Sequence, residues 1–280
     1  MKGLQKLTPI IFDKIWGGQK LKRFKETELS NIGETWEVST HPNGVALVGD
    51  KKLNEFVELD YLVKFIDTDD NLSVQVHPDD EYARKNENDN GKPECWFILD
   101  AEEEAGIYLG FKEGVSAEQF ELAIKNKDAV NELLNFVPVK KGMFINLPTG
   151  SVHAIGKGVT LCEVQRSSDV TYRVWDWNRL DSEGNSRELH IKKAMDVMNF
   201  DSEFNKTLLN QVINDCFNLG TVLSLGENIK ILPFKPTEKV SLVKDEVIID
   251  LTTCDSFYCF EQDEYLLSED HLFLKISRVK

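Results

Sequence analysis

The sequence predicts a mainly β protein: a small barrel with a helical insertion and a second, smaller β-sandwich towards the C-terminus. Three observations predict it. Short apolar runs and apolar–polar alternations, bounded by Gly, Pro, Asn and Asp, recur along most of the chain as strands do. One stretch, 116–136, changes to a helical period. A turn-rich DSEGNS at 181–186 marks a candidate boundary before a last run of strands. Strands this short and this frequent suit a barrel core.

In chain order, TPIIF at 8–12, IWGG at 15–18 and GETWEVS at 33–39 are short mixed patterns, with Trp16 and Trp36 read as core beside strands. Strands are expected at 45–48 and 62–66. Residues 72–77 alternate with the period of a half-buried strand, which puts Ser73, Gln75 and His77 on one face. Pro78 ends that ladder and a polar, acidic loop is expected to follow. Glu94 then opens the apolar run 95–99, and another short strand falls at 107–111. Ser116 and Gln119 form a capping box, with Phe120, Ala123 and Ile124 on one helical face. A second short helix is expected at 129–136, before extended chain resumes at 137–139.

GMFINLPTGSVH, 142–153, reads as two strands joined by a tight Pro/Gly turn that delivers His153. Residues 160–165 form a strand with Leu161, Glu163 and Gln165 on one face and Cys162 and Val164 on the other. The chain turns after 167 and re-enters a strand carrying Arg173, with Trp175 and Trp177 alternating beyond it. A helix is expected over 187–200, with Ile191, Ala194, Met195 and Met198 as core filler and His190 structural. Strands follow at 221–225, 229–233, 240–243, 247–251, 257–260 and 271–279. This organisation gives a domain 1–180, with its helical insertion at about 116–136, and a second unit 187–280.

Composition narrows the function. At 280 residues, 41% hydrophobic and 29% charged, the chain can bury a large core. No apolar run approaches the roughly 20 residues of a membrane span, and the first residues lack a signal-peptide core. Cys95, Cys162, Cys216, Cys254 and Cys259 form no CxxC pair, and their odd number argues against a disulfide framework. The cytoplasm is the expected compartment. A net charge of −15 disfavours nucleic acid as a partner and obliges any site for an anion to gather its own cations.

The chemistry concentrates in NLSVQVHPDDEYARKNENDNGKPECW, 71–96, where Gln75, His77 and Glu94 can each bind a metal. His153 is the expected fourth ligand. Any one of these alone would read as a satisfied core or surface residue; together they form a spaced pattern. Two imidazoles, a carboxylate and an amide oxygen suit one Zn²⁺ per chain, and also Fe²⁺, Mn²⁺ or Co²⁺. No second ligand constellation is found after 219; Cys254 and Cys259 lack His companions. The Gly142, Pro148, Gly150, His153 spacing resembles the second half of the cupin (jelly-roll) signature. In the first half Gln75 replaces the usual first His, and Glu94 comes seventeen positions after His77. QxHPDD, KPECW and PxGxxH together resemble the type I mannose-6-phosphate isomerases in their short bacterial form.

The resemblance implies an aldose–ketose isomerase acting on a small sugar phosphate through a cis-enediol(ate). It covers most of residues 5–200, and its SDxxxR segment makes Arg173 an active-site residue. It also implies a second cupin-like unit without metal. Arg173, Lys92 and Glu163 are the expected catalytic residues, with Glu163 and Lys92 both open as the base. Ser73, Lys92 and Arg173 are the expected substrate contacts; Lys92, Arg166 and Arg179 are cations near enough in sequence to meet the phosphate. No nucleic acid or membrane partner is expected, and the assembly is a monomer or homodimer. Two rivals stand beside this reading: a sugar-phosphate sensor that keeps the metal pocket, and another metallo-cupin enzyme such as a dioxygenase. Solvent proton exchange or oxygen consumption separates them.

Overall fold

A computed structural model describes residues 1–180, 183–216, 222–226 and 228–279. Its centre is a six-stranded antiparallel sheet. The order is Phe144–Leu147, Glu94–Ala101, Val159–Arg166, Tyr61–Asp67, Glu34–Val38, Ile10–Phe12. Facing it is a five-stranded sheet in the order Leu134–Pro138, Gly106–Phe111, His153–Ile155, Val74–Val76, Tyr172–Trp175. Their inner faces share a core of Trp96, Ile98, Ile107, Leu109, Ile145 and Leu161. At one end of the space between the sheets that apolar filling gives way to polar side chains.

Both sheets are covered on their outer faces as well. The five-stranded sheet turns Val74, Val76 and Val174 towards Phe120 and Ile124 of the helix Ala117–Asn126 and Ala194 of the helix Ile191–Val197. The central sheet turns Val63, Phe65, Phe97, Cys162 and Val164 towards a C-terminal sheet that supplies Ile231, Val247, Ile249 and Ile276. That third sheet runs Leu4–Lys6, Asp255–Cys259, Val247–Asp250, Phe273–Arg278, Ile229–Phe234, Leu223–Leu225. Its far side packs on a two-stranded sheet, Val240–Leu242 with Asp263–Tyr265, through Ile248 and Phe273. A jelly-roll barrel with an attached β-sandwich describes the molecule. Within it, Leu4–Lys6 belongs to the C-terminal sheet by pairing with Asp255–Cys259.

Several expected elements change. The loop after Pro78 contains a helix, Asp80–Glu87, whose first turn is capped by the Asp79 carboxylate accepting from Tyr82 N–H at 2.8 Å. The helix expected at 129–136 is only a 3₁₀ turn, Val130–Leu133, before the strand Leu134–Pro138. Pro138 disfavours helical backbone at Val137, and the strand pairs with Gly106–Phe111 instead. The helix expected at 187–200 shrinks to Ile191–Val197, because His190 N–H bonds the Arg173 carbonyl at 2.7 Å instead of a helical partner. A further helix, Ser202–Asn210, and the strand Asp263–Tyr265 had no counterpart in the sequence reading. Residues 181 and 182 of the expected linker and residue 221 of an expected strand lie outside the described residues.

Candidate active site

Gln75 sits at the centre of the strand Val74–Val76, with Ser73 and His77 flanking the strand at the alternate positions on either side. The turn that brings His153 beside them is closed by Ser151 N–H donating to the Pro148 carbonyl at 3.2 Å. Gly150 takes its third position at φ +83° and donates its own N–H to the His77 carbonyl at 3.0 Å. The two histidines are therefore tied to each other through the backbone before their rings meet. Gln75 and His153 are direct partners in the sheet register.

His77, Glu94 and His153 form the one cluster of three such groups among the described residues, with ligand atoms all within 4.8 Å of one another. Each imidazole gives its Nδ1–H to a backbone carbonyl: His77 to Val170 at 2.9 Å, His153 to Ser151 at 3.0 Å. That fixes the tautomers, so both Nε2 lone pairs turn inward, His77 Nε2 lying 3.4 Å from Glu94 Oε2 and His153 Nε2 3.4 Å from Oε1. Burial, with the Lys92 charge beside it, depresses His77 well below its ordinary value, and burial lowers His153. Both are neutral, as metal ligation requires. Glu94 is fully buried; the Lys92 charge and its hydrogen bond overcome that burial and hold the carboxyl well below its ordinary value.

Glu94 Oε1 accepts no hydrogen bond. A buried carboxylate oxygen in that condition, ringed by two inward lone pairs, fits a divalent cation. The Gln75 amide nitrogen lies 3.3 Å from His153 Nε2, and half a turn of the amide would present its oxygen there. Lys92 Nζ sits 2.7 Å from Glu94 Oε2 and 3.2 Å from His77 Nε2, so a second cation already seeks the same donors.

Gln75 and Lys92, which border this cluster, also line a cavity of about 290 Å³. Its lining carries five cations, Lys14, Lys64, Lys92, Arg173 and Arg187, against three carboxylates, Glu34, Glu163 and Asp169. A row of alternating charge leads from the cluster into the cavity lining: Glu94, Lys92, Glu163, Lys64, Glu34 and Lys14. Successive gaps are 2.7, 4.0, 3.7, 3.3 and 2.8 Å. The excess of cations answers the requirement set by the chain's net charge of −15.

No family model matches the chain. It is 33% identical over 290 residues to the mannose-6-phosphate isomerase ManA of Bacillus subtilis, an alignment covering 92% of this chain and 90% of that one. It is 40% identical over 214 residues to the mannose-6-phosphate isomerase of Streptococcus mutans, covering 69% and 67%. The chain belongs to the mannose-6-phosphate isomerase family. The solved structure of the mannose 6-phosphate isomerase from Bacillus subtilis superposes with a TM-score of 0.77 at 26% identity, covering 99% and 100% of the two chains. A mannose 6-phosphate isomerase bound with zinc and yttrium shares the fold at a TM-score of 0.62 and 13% identity.

Of the other residues the sequence singles out, Ser73, Lys92, Glu163 and Arg173 line this cavity. Glu163 is buried, its Oε2 accepting from the Trp96 indole at 2.9 Å while Oε1 accepts no hydrogen bond. Burial and the Glu94 charge raise its carboxyl, against the pull of Lys92, Lys64 and Trp96. Arg173 pairs with Gln75 in the register and donates Nε to Ser73 Oγ at 3.1 Å. Two cations named for the phosphate do not reach the cavity. Arg166 lines a separate hollow with Asp79 and Asp80, and Arg179 is spent on Asp70 and Asp176.

The sequence reading missed Lys14, Glu34, Lys64 and Arg187 as site residues. Lys64 carried a signal, a lone lysine inside the apolar run YLVKFID. Arg187 carried none.

Proposed function

We propose that the chain interconverts mannose 6-phosphate and fructose 6-phosphate, with one zinc ion held by Gln75, His77, Glu94 and His153. The observation that carries this reading is the pair of neutral, backbone-anchored histidines facing an uncompensated oxygen of Glu94, joined through Gln75 and Lys92 to a cation-rich cavity. The cytoplasm as compartment and a monomer or homodimer as assembly belong to the same proposal; all five cysteines are free and buried.

The reaction moves a proton between C2 and C1 of the sugar while the carbonyl migrates the other way, through a cis-enediolate. A bound divalent metal supplies positive charge that offsets the enediolate oxygens without a proton transfer of its own. Arg173, beside Gln75, aims a permanent charge at the same oxygens and suits stabilising charge better than taking a proton.

Glu163 is the base we favour over Lys92. Its Oε1 is free to accept, its other oxygen is fixed, and burial brings its basicity closer to that of the working pH. Lys92 is engaged with Glu94 and is read as the group that holds a substrate hydroxyl or the departing charge near Glu163. Ser73 fixes Arg173 and offers a hydroxyl to the sugar.

A coupled assay with mannose 6-phosphate, before and after chelation, tests the whole proposal. Activity is expected to vanish on chelation and to return on adding zinc. Undiminished activity in the chelated protein, with metal shown to be absent, would exclude the metal mechanism; no activity in well-loaded protein would favour a sensor.

A further inference from the structure

We propose that Arg187, braced from behind by Asp176, receives the phosphoryl group of the sugar phosphate, and that Asp176 is its positioning residue. The inference rests on the isomerase reading above and names the far end of the same site.

The cavity's five cations are not equally available. Lys14 and Lys64 divide the two oxygens of Glu34 between them, and Lys64 also faces Glu163. Lys92 is held at the metal-ligand cluster. Arg173 lies beside Gln75, with Nε on Ser73 and one Nη on the Glu188 carbonyl at 3.1 Å. Arg187, on the stretch that precedes the helix Ile191–Val197, lines the cavity while its own ion pair is with Asp176, which lies outside the lining.

Its guanidinium is oriented by a fork of two bonds, Nε to Asp176 Oδ2 at 2.7 Å and Nη2 to Oδ1 at 2.6 Å. Asp176 is 6% exposed, and Arg187 and Arg179 hold its carboxyl below the usual range despite its burial. Arg179 binds the same carboxylate and is itself anchored to Asp70 at 3.0 Å. The brace is therefore fixed to the barrel. Arg187 keeps donors beyond the two that Asp176 takes, and a guanidinium fork matches a phosphoryl group. A phosphate monoester carries between one and two negative charges near neutral pH. Orienting the receiving cation in advance reduces the entropy lost on binding.

The test uses the full chain loaded with zinc. Titration calorimetry with inorganic phosphate is combined with steady-state rates on mannose 6-phosphate and on unphosphorylated mannose. Arg187→Ala is expected to weaken phosphate binding about 10- to 100-fold, the loss of a charge-assisted bond pair. The ratio of kcat/KM for the phosphorylated over the unphosphorylated sugar should fall by a similar factor. Arg187→Lys should recover part of both, which also separates lost charge from a failure to fold. Asp176→Asn should raise KM for mannose 6-phosphate more than it lowers kcat. Arg166→Ala, which removes a cation outside the cavity, should bind phosphate as the parent does. Phosphate affinity within twofold of the parent in Arg187→Ala, or equal losses on the two sugars, would overturn the assignment. If the parent binds phosphate through Arg187 but isomerises no sugar phosphate, the clamp stands and the isomerase reading falls.

Discussion

Glu163 and Glu34 sit one lysine apart in the charged row, yet their environments move them in opposite directions. Burial wins at Glu163 and leaves one oxygen free to take a proton. Glu163→Gln is therefore expected to lower turnover by about 10²- to 10⁴-fold and to abolish deuterium uptake from solvent, with metal content unchanged. Turnover within tenfold of the parent would pass the role to Lys92. At Glu34, burial alone would raise the carboxyl, but Lys64 and Lys14 pull it from 4.5 down to about 2. A depressed folded-state value stabilises the protein above the unfolded value and is lost as pH falls between these two limits. Urea unfolding at pH 5 and pH 3 should show the parent losing up to about 2 kcal/mol more than Glu34→Gln over that interval. Equal acid sensitivity in the two proteins would mean that the lysines do not hold Glu34 down.

At the scale of the element, the Pro148–Ser151 turn decides whether His153 meets His77. Its Gly150 has φ +83°, and a Cβ there would stand 3.1 Å from the Val197 carbonyl. Gly150→Ala is expected to destabilise the fold by about 1–2 kcal/mol, lowering the melting midpoint by several degrees and weakening metal retention with it. An unchanged midpoint would mean that the turn has room to relax. This turn was readable in the sequence because its chemistry is local: Pro, Gly and a fixed offset to His153. The strand row Ser73, Gln75, His77 was readable for the same reason, a period of two. The extent of the 191–197 helix was not readable. What keeps residues 187–190 out of the helix is a bond to Arg173, and Arg187 faces a carboxylate eleven positions back. Apolar periodicity reports neither tie. The same limit hid Lys64 and Glu34, whose meaning appears only when their strands lie side by side.

Across the whole molecule, the central sheet is buried on both sides, and its outer face depends on the C-terminal sheet. A chain ended after Val212 would leave Val63, Phe65, Phe97 and Val164 uncovered. It is expected to bind a hydrophobic dye and to melt without a cooperative transition. A soluble, cooperatively melting fragment would show that the barrel stands alone. The pairing of Leu4–Lys6 with Asp255–Cys259 joins opposite ends of the chain, a relation that no local pattern announces. The row from Glu94 to Lys14 crosses the central sheet in the same way, each charge answered by neighbours on other strands or nearby in its own. Losing one member would strand a buried partner, which costs far more than losing both. In the descent of this family, Lys64 and Glu34, the pair in the row away from the metal ligand and the base, should accordingly change together.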